Sequence, residues 1–420
     1  MDPRIERIRA GMAAEGLDAV VLTHPHDVLY ATGYASTFES WGLQEPVSAA
    51  VVPADGPVVL CLPEALVGLL PVMKEQGHPD RADELRVFEL LNFCEMSREV
   101  DPDARASAIA DAALAMYGAR VKGSSEPHAI AALAATLKDH GLGGAHIGVD
   151  DLRTGFTLRD HHGLAGLEIR DALDLMIRAR VVKTPPELET FRRIGKLADR
   201  IMAYASERLE PGLSWDEFTS DVAQFMVSID VSPVDEDAML FGGAFSGEFI
   251  PELFRTRHAG PLEQGQIVII ETLGSAEKFW IDINRTATIG APTAEYQKQH
   301  DMVRDTFLHM IDLMKPGVNT GDVQRAGFEY LRDRGAAAPQ KLIAVAHGIG
   351  HMPVEMPQPY PHTGVAGSRG FMLEEGMVIS LDCLYFGAKL GPSHMENVFI
   401  IGRDGAESTY ATPLELLGPR

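Results

Sequence analysis

Glu271, Asp282, His347, Asp382 and Glu396 are of the residue types that bind divalent cations, and they fall in the second half of a 420-residue chain. The carboxylates come in two local pairs. Glu271 and Asp282 stand eleven residues apart in IVIIETLGSAEKFWIDINRT, which reads as a strand, a turn and a returning strand. Asp382 and Glu396 stand fourteen apart in MVISLDCLYFGAKLGPSHMENVFII, a second such pair. His347 lies in the glycine-flanked stretch AVAHGIGH, which reads as a loop. Four carboxylates gathered in a low-dielectric pocket repel one another unless cations or protons compensate them. The pattern therefore predicts either a metal site or a set of exposed or protonated acids.

A single acid interrupts an apolar, β-rich run in both IVIIETL and VISLDCLYF, as expected of central strands. Such an acid is unfavourable to bury alone. One pair by itself would suit strand ends facing water. Two pairs and a glycine-framed histidine point to convergence on one site.

In these residues and their order the chain resembles the creatinase/aminopeptidase P/prolidase/methionine aminopeptidase superfamily (peptidase family M24), whose catalytic domain has the pita-bread fold. The family's metal site uses two Asp eleven residues apart, the second in a D-I-T-R-T-like stretch. It continues with His in a G-H-G-I-G-like loop and Glu at the end of a G-M-V-x-T-I-E-like strand. A last Glu follows in an R-I-E-like strand. The matching text here is Glu271 to Asp282-Ile283-Asn284-Arg285-Thr286, then Ala346-His347-Gly348-Ile349-Gly350, Gly376-Met377-Val378-Ile379-Ser380-Leu381-Asp382, and Met395-Glu396-Asn397. The segment RIERIRAGMAAEGLDAVVLTHPHDVLYATGY also resembles the creatinase-type N-terminal domain. The resemblance implies an α/β creatinase-like N-terminal domain over 1–175 and an α+β pita-bread catalytic domain over 184–420.

Several positions depart from the family pattern. Glu271 stands where Asp is usual and Asp382 where Glu is usual, each moving a carboxylate by about one methylene, roughly 1.5 Å, against ligand tolerances of a few tenths. The peptidases' histidine seven residues after the metal histidine is Val354 here, followed by Glu355, and a histidine appears instead at His351. The family's Arg two residues before the last Glu is His394, and Phe254 falls at a further histidine position, with His258 four residues on.

The resemblance implies a hydrolase of C–N bonds in a small amino-acid-like or dipeptide-like substrate, holding two divalent ions (Mn, Zn, Co or Fe(II)) on Glu271, Asp282, His347, Asp382 and Glu396. Oxygen-rich ligation with one imidazole suits those ions. Glu355 or Glu396 is expected as general base, and His351 or His394 as proton donor or oxyanion partner. Arg255 and Arg257, with His258, are candidates for gripping a substrate carboxylate. The altered residues make ordinary Xaa-Pro dipeptidase activity doubtful. They also keep open a metal-free mechanism of the creatinase or ectoine hydrolase kind, and a lyase of the dimethylsulfoniopropionate-cleaving branch. A non-enzymatic binding module is disfavoured by the retained acids and His347. Relatives suggest a homodimer.

The remaining composition narrows the partners. A net charge of −23 opposes nucleic-acid or anionic-membrane binding, because the phosphate-neutralising term has the wrong sign. The apolar stretch from Val47 to Met73 is broken by Asp55, Pro57, Pro63, Glu64 and Pro71, so no bilayer span is expected. The N-terminus MDPRIERIR lacks a hydrophobic signal core, and the three cysteines (Cys61, Cys94, Cys383) have no metal or disulfide spacing, so a cytoplasmic home is expected.

The elements that must position the site read as follows. Residues 4–16 form an amphipathic helix before the strand DAVVLT, and SAAVVPADGPVVLCL turns back at Ala54-Asp55-Gly56. Pro185-Pro186 open a long helix. Pro-Gly at 211–212 and at 316–317 each follow a helix and precede a capping residue (Ser214; Asn319 or Thr320), as the internal pseudo-twofold of the pita-bread fold implies.

Overall fold

The computed structural model describes residues 2–35, 38, 45–75, 79–90, 111–233, 243–245, 261–356, 370–386 and 389–418. The chain divides into two compact units, Met1–Arg180 and Val181–Arg420.

In the first unit, β1 (Ala19–Leu22), β2 (Ala49–Pro53), β3 (Val59–Pro63), β4 (Glu84–Phe88), β5 (His146–Val149) and β6 (Glu168–Asp171) make one sheet in the order β4-β3-β2-β1-β5-β6. The β1–β2 and β2–β3 pairs are antiparallel, and the outer pairs are parallel. Such a sheet needs both faces covered. Alternate residues of β1 serve the two faces: Val20 and Leu22 share a core with the helix Pro3–Glu15, and Ala19 and Val21 share another with the helix Ala129–Asp139. The expected hairpin joins β2 and β3, and Gly56 takes its left-handed turn position at φ +107°.

The second unit is built on β7 (Ser232–Pro233), β8 (Gly243–Phe245), β9 (Ile267–Ala276), β10 (Phe279–Thr288), β11 (Leu342–Gly348), β12 (Val378–Tyr385), β13 (Ser393–Ile401) and β14 (Ala406–Ser408). The sheet runs β11-β12-β13-β10-β9-β7, with β14 on β13 and β8 on β9. Both hairpins read from the sequence are present. β9 and β10 pair over their whole length around Glu277-Lys278, and both turn residues have positive φ, as a two-residue hairpin loop demands.

Among the described residues, four helices flank this sheet: Pro185–Arg208, Trp215–Ser228, Ala294–Leu313 and Thr320–Asp333. The first opens on a reciprocal cap in which Thr184 and Glu187 satisfy each other's end of the helix, with Pro185 where a free N–H is not needed. Gly212 and Gly317, at φ +91° and +85°, make the two Pro-Gly turns. Ile281 and Ile283 of β10 share a core with the first two helices. Ile379, Leu381, Cys383, Met395 and Phe399 share another with the last two.

His347 lies in β11, not in a loop. Leu342 to Gly348 pair with Tyr385 to Ile379 of β12 along the whole strand. The flanking glycine that suggested a loop serves close approach instead: a Cβ on Gly348 would stand 2.6 Å from the carbonyl oxygen of Met356, and the Glu355 N–H donates to Gly348 O at 2.8 Å.

Behind that approach, Lys183 Nζ sits 3.5 Å from Glu355 Oε2, with side chains only 3% and 2% exposed. Glu355 Oε1 accepts from the backbone N–H groups of His351 (2.8 Å) and Met352 (3.2 Å), so this carboxylate holds the 350–355 turn together. Removing one partner of a buried pair strands the other charge, at a cost of about 3–5 kcal/mol. Lys183→Met should therefore destabilise the second unit by that order in urea unfolding, and adding Glu355→Gln should recover much of the loss. A Lys183→Met loss below about 1 kcal/mol, the range of exposed pairs, would mean that the pair is solvated.

Candidate metal centre

Strand register puts the acidic residues on one face of the second sheet. Asp382 is opposite Glu396, Asn284 is opposite both Glu396 and Glu271, and His347 is opposite Ser380. Side chains alternate faces with a period of two, so Glu271, Asp282, Asn284, His347, Ser380, Asp382, His394 and Glu396 all project together.

The sheet is pinched where they meet. Between β10 and β13 the only registered pair is Asn284 with Glu396. On one side of it, Thr286 Oγ1 accepts from His394 N–H (2.8 Å) and donates to His394 O (2.9 Å). On the other side, Tyr410 Oη accepts from Asp282 N–H (3.1 Å) and donates to Asp282 O (2.9 Å). Each hydroxyl stands in for a strand, so the ladder parts without leaving backbone groups unsatisfied. Below it, the buried Arg285 donates to four carbonyls: Asn284 (2.7 Å), Glu396 (2.9 Å), Thr412 (2.8 Å) and Pro413 (2.7 Å). Burial brings its pKa down to about 10, which leaves it cationic at neutral pH beneath the acids.

His347 Nε2 faces three carboxylates at once, 3.7 Å from Glu396 Oε1, 3.8 Å from Asp382 Oδ2 and 3.9 Å from Asp282 Oδ2. Its Nδ1 lies 3.0 Å from the carbonyl of Gly348, which fixes the ring. Ser380 Oγ donates to Glu396 Oε1 (2.6 Å), and Asn284 Nδ2 donates to Glu271 Oε2 (3.0 Å). Asp282 Oδ1 and His394 Nδ1 are buried and make no hydrogen bond.

Two donor groups result, Asp282–His347–Glu396 and Glu271–His394–Glu396, and within each the candidate ligand atoms lie no more than 4.8 Å apart. Glu396 belongs to both. Donors sharing an ion at ~2.0–2.2 Å stand roughly 3–3.5 Å from one another, so groups this close, with unpartnered atoms, need only small side-chain shifts to take divalent cations. Unfilled, the cluster is electrostatically frustrated. Burial, reinforced by the Glu396 charge, pushes Glu271, Asp282 and Asp382 well above their ordinary values. Burial acts the same way on Glu396, but the hydrogen bond and charge of His347 overcome it and bring that carboxyl down to about 2. Burial alone lowers His347, and Glu396 and Asp382 more than reverse that.

The structure thus brings together Glu271, Asp282, His347, Asp382, Glu396 and His394. Asp382 belongs to neither donor group, although its Oδ1 is 2.9 Å from His394 Nε2. His351 and Glu355 are not brought to the cluster. His351 Nδ1 donates to Lys278 O (2.8 Å) at the β9–β10 turn, four residues along β10 from Asp282, or roughly 13 Å of strand. Glu355 is committed to Lys183 and the 350–355 turn. Arg255, Arg257 and His258 lie outside the described residues. Sequence reasoning gave no role to Asn284, Ser380, Arg285 or Tyr410. A charge on the face of β10 otherwise occupied by Phe279, Ile281, Ile283 and Ala287 was a signal for Arg285, whereas nothing local marked Tyr410.

Comparison with known proteins gives the family. Residues 189–403 match the model of metallopeptidase family M24, and residues 4–69 match that of the creatinase/prolidase N-terminal domain. The probable dipeptidase PepE of Mycobacterium tuberculosis is 26% identical over 417 residues, 99% of this chain and 95% of that one. The ectoine hydrolase of Halomonas elongata is 23% identical over 353 residues, 80% and 78% of the two chains. The crystal structure of dipeptidase PepE from Mycobacterium ulcerans superposes with a TM-score of 0.70 at 23% identity, covering 99% and 98%. That of the prolidase from Pyrococcus horikoshii gives 0.68 at 17%, covering 98% of each chain. Among the described residues, no helix is long and apolar enough to cross a membrane. With its site strands lying inside the matched segment and its fold shared with pita-bread prolidases, the chain belongs to metallopeptidase family M24 and carries a creatinase/prolidase-type N-terminal domain.

Proposed function

We propose that this chain is a metal-dependent hydrolase of a C–N bond in a small dipeptide-like or amino-acid-like substrate. The observation that carries the reading is the pair of donor groups sharing Glu396, in which carboxylates and imidazoles converge with little access to water. Relatives named dipeptidase, prolidase and ectoine hydrolase support hydrolysis and leave the substrate open. Asp282, His347 and Glu396 would hold one divalent ion, and Glu271 and Glu396 a second. When bound, such ions supply an activated water and a polarised carbonyl.

The chain's own groups prepare that chemistry. Ser380 and Asn284 orient one oxygen each of Glu396 and Glu271, while Tyr410 and Arg285 pin the backbone at Asp282 and Glu396. Glu355 has both oxygens engaged, so proton transfer falls to the cluster itself. Asp382 is its most open carboxylate, with a side chain 19% exposed, and its Oδ2 is the atom suited to take the proton from water. Val354 is 39% exposed and carries no proton.

Purified protein expressed with Mn, Zn or Co should contain two equivalents of metal, and His347→Ala should lose at least one. Both binding below about a tenth of an equivalent, background for a real site, would favour the metal-free mechanism.

Protons and cations compete for these carboxylates, which gives a signed pH dependence. Glu271, Asp282 and Asp382 bind protons more tightly folded than unfolded. Their contribution to cation-free stability is complete below the ordinary values of 3.8 and 4.5 and is lost as pH rises through the elevated ones. The melting temperature of chelator-treated protein should fall as pH is raised from about 4.5, and added Mn or Zn should cancel the slope. A flat chelated profile would show that the acids are solvated.

Xaa-Pro dipeptides should be turned over far below ordinary enzyme rates of ~1–10³ per second in Mn- or Co-containing buffer, since Val354 moves no proton. Turnover within that range would assign the proton to another group.

A further inference from the structure

We infer that His394 is itself a metal ligand, through Nδ1, and that Asp382 is the carboxylate that holds its imidazole rather than a ligand. The inference rests on the metal-dependent reading above and deepens it. Its result is a centre with one imidazole on each ion: His347 with Asp282 and Glu396, and His394 with Glu271 and Glu396.

Three observations carry it. The ring is buried, 4% exposed, and its two nitrogens differ. Nε2 is 2.9 Å from Asp382 Oδ1, at hydrogen-bond distance. Nδ1 has no hydrogen-bond partner and faces Glu271, with Oε2 at 3.9 Å. That separation is too long for a hydrogen bond, and closing it by a few tenths of an ångström would put the two donors at the spacing of a common ion. In the cation-loaded site Asp382 is ionised and can only accept, so Nε2 carries the proton and Nδ1 presents its lone pair to the site. A carboxylate that receives the far N–H of a ligating histidine fixes its tautomer and raises its basicity.

The strand geometry agrees. Asp382 is opposite Glu396 and Leu384 is opposite His394, so Asp382 and His394 are diagonal neighbours on the site face. The short Asp382 side chain meets the ring edge at Nε2. The longer Glu271, from the far side of β10, comes towards Nδ1. Asp382 is correspondingly absent from both groups of convergent donors, while His394 belongs to one. Two imidazoles favour Zn, Co or Fe over the hard ions Mg and Ca.

The test counts ligating imidazoles directly. In cobalt-loaded protein, each ligating histidine gives one solvent-exchangeable ring N–H proton resonance displaced far outside the diamagnetic range, which disappears in D₂O. The wild type should show two. His394→Asn should show one and bind one cobalt fewer. Asp382→Asn should keep both resonances, move one, and weaken the affected ion ~10–100-fold without abolishing it. A wild type that binds two cobalt ions yet shows a single such resonance overturns the inference and leaves the hydrolase reading standing, independently of how any variant folds. Loss of a whole equivalent in Asp382→Asn, with His394→Asn unchanged, would exchange the two roles and also overturn it. A wild type that binds no cobalt overturns both the inference and the reading beneath it.

Discussion

Carboxylate repulsion is the constraint around which the second unit is organised. Glu271, Asp282, Asp382 and Glu396 are held on one sheet face with little access to water, and three of the four are pushed towards their neutral forms. A protein gains nothing in stability from such an arrangement. It persists because the rest of the sheet over-determines it: ten residue pairs between β9 and β10 and eight between β12 and β13 fix the height of each acid on its strand. Rigid hairpins thus supply the positioning that a mutually repelling set would otherwise undo, and bound cations would relieve the repulsion.

The C-terminal segment has a larger part in this than its irregular backbone suggests. Tyr410 takes the place of a neighbouring strand at Asp282, and the carbonyls of Thr412 and Pro413 receive Arg285. Asp199, on the helix Pro185–Arg208, accepts from the backbone N–H groups of Ala411 and Thr412 and so fastens that segment in turn. The chain from 410 to 413 therefore connects a helix on the back of the sheet to the ligand-bearing backbone on its front. Arg285 adds a buried positive charge below the acids, satisfied by carbonyls alone and thus not withdrawn into an ion pair.

Much of this was legible in the order of residues. Apolar runs each broken by a single acid located β9 and β12, and β10 and β13 followed as the strands that return from them. Pro-Gly turns and their caps located the helices, since those positions require conformations that few residues adopt. The reading of His347 as a loop residue failed for a physical reason. Glycine at 348 marks tight backbone approach as readily as it marks a turn, and only the packing of Glu355 and Met356 against β11 distinguishes the two.

What the sequence by itself determined is the kind of chemistry available, in that carboxylates and an imidazole on apolar strands have few stable fates other than a cation site. What tertiary structure decided is which members converge. His351 and Glu355 are the nearest acid–base residues to His347 downstream in the chain, yet one is drawn to the β9–β10 turn and the other to Lys183. His394 is remote from Glu271 in sequence but lies beside it across the pinched sheet. Separation along the chain sets distance within one strand. Between strands distance is set by register and by the hydroxyls of Thr286 and Tyr410 that part β10 from β13, and these are properties of the folded sheet alone.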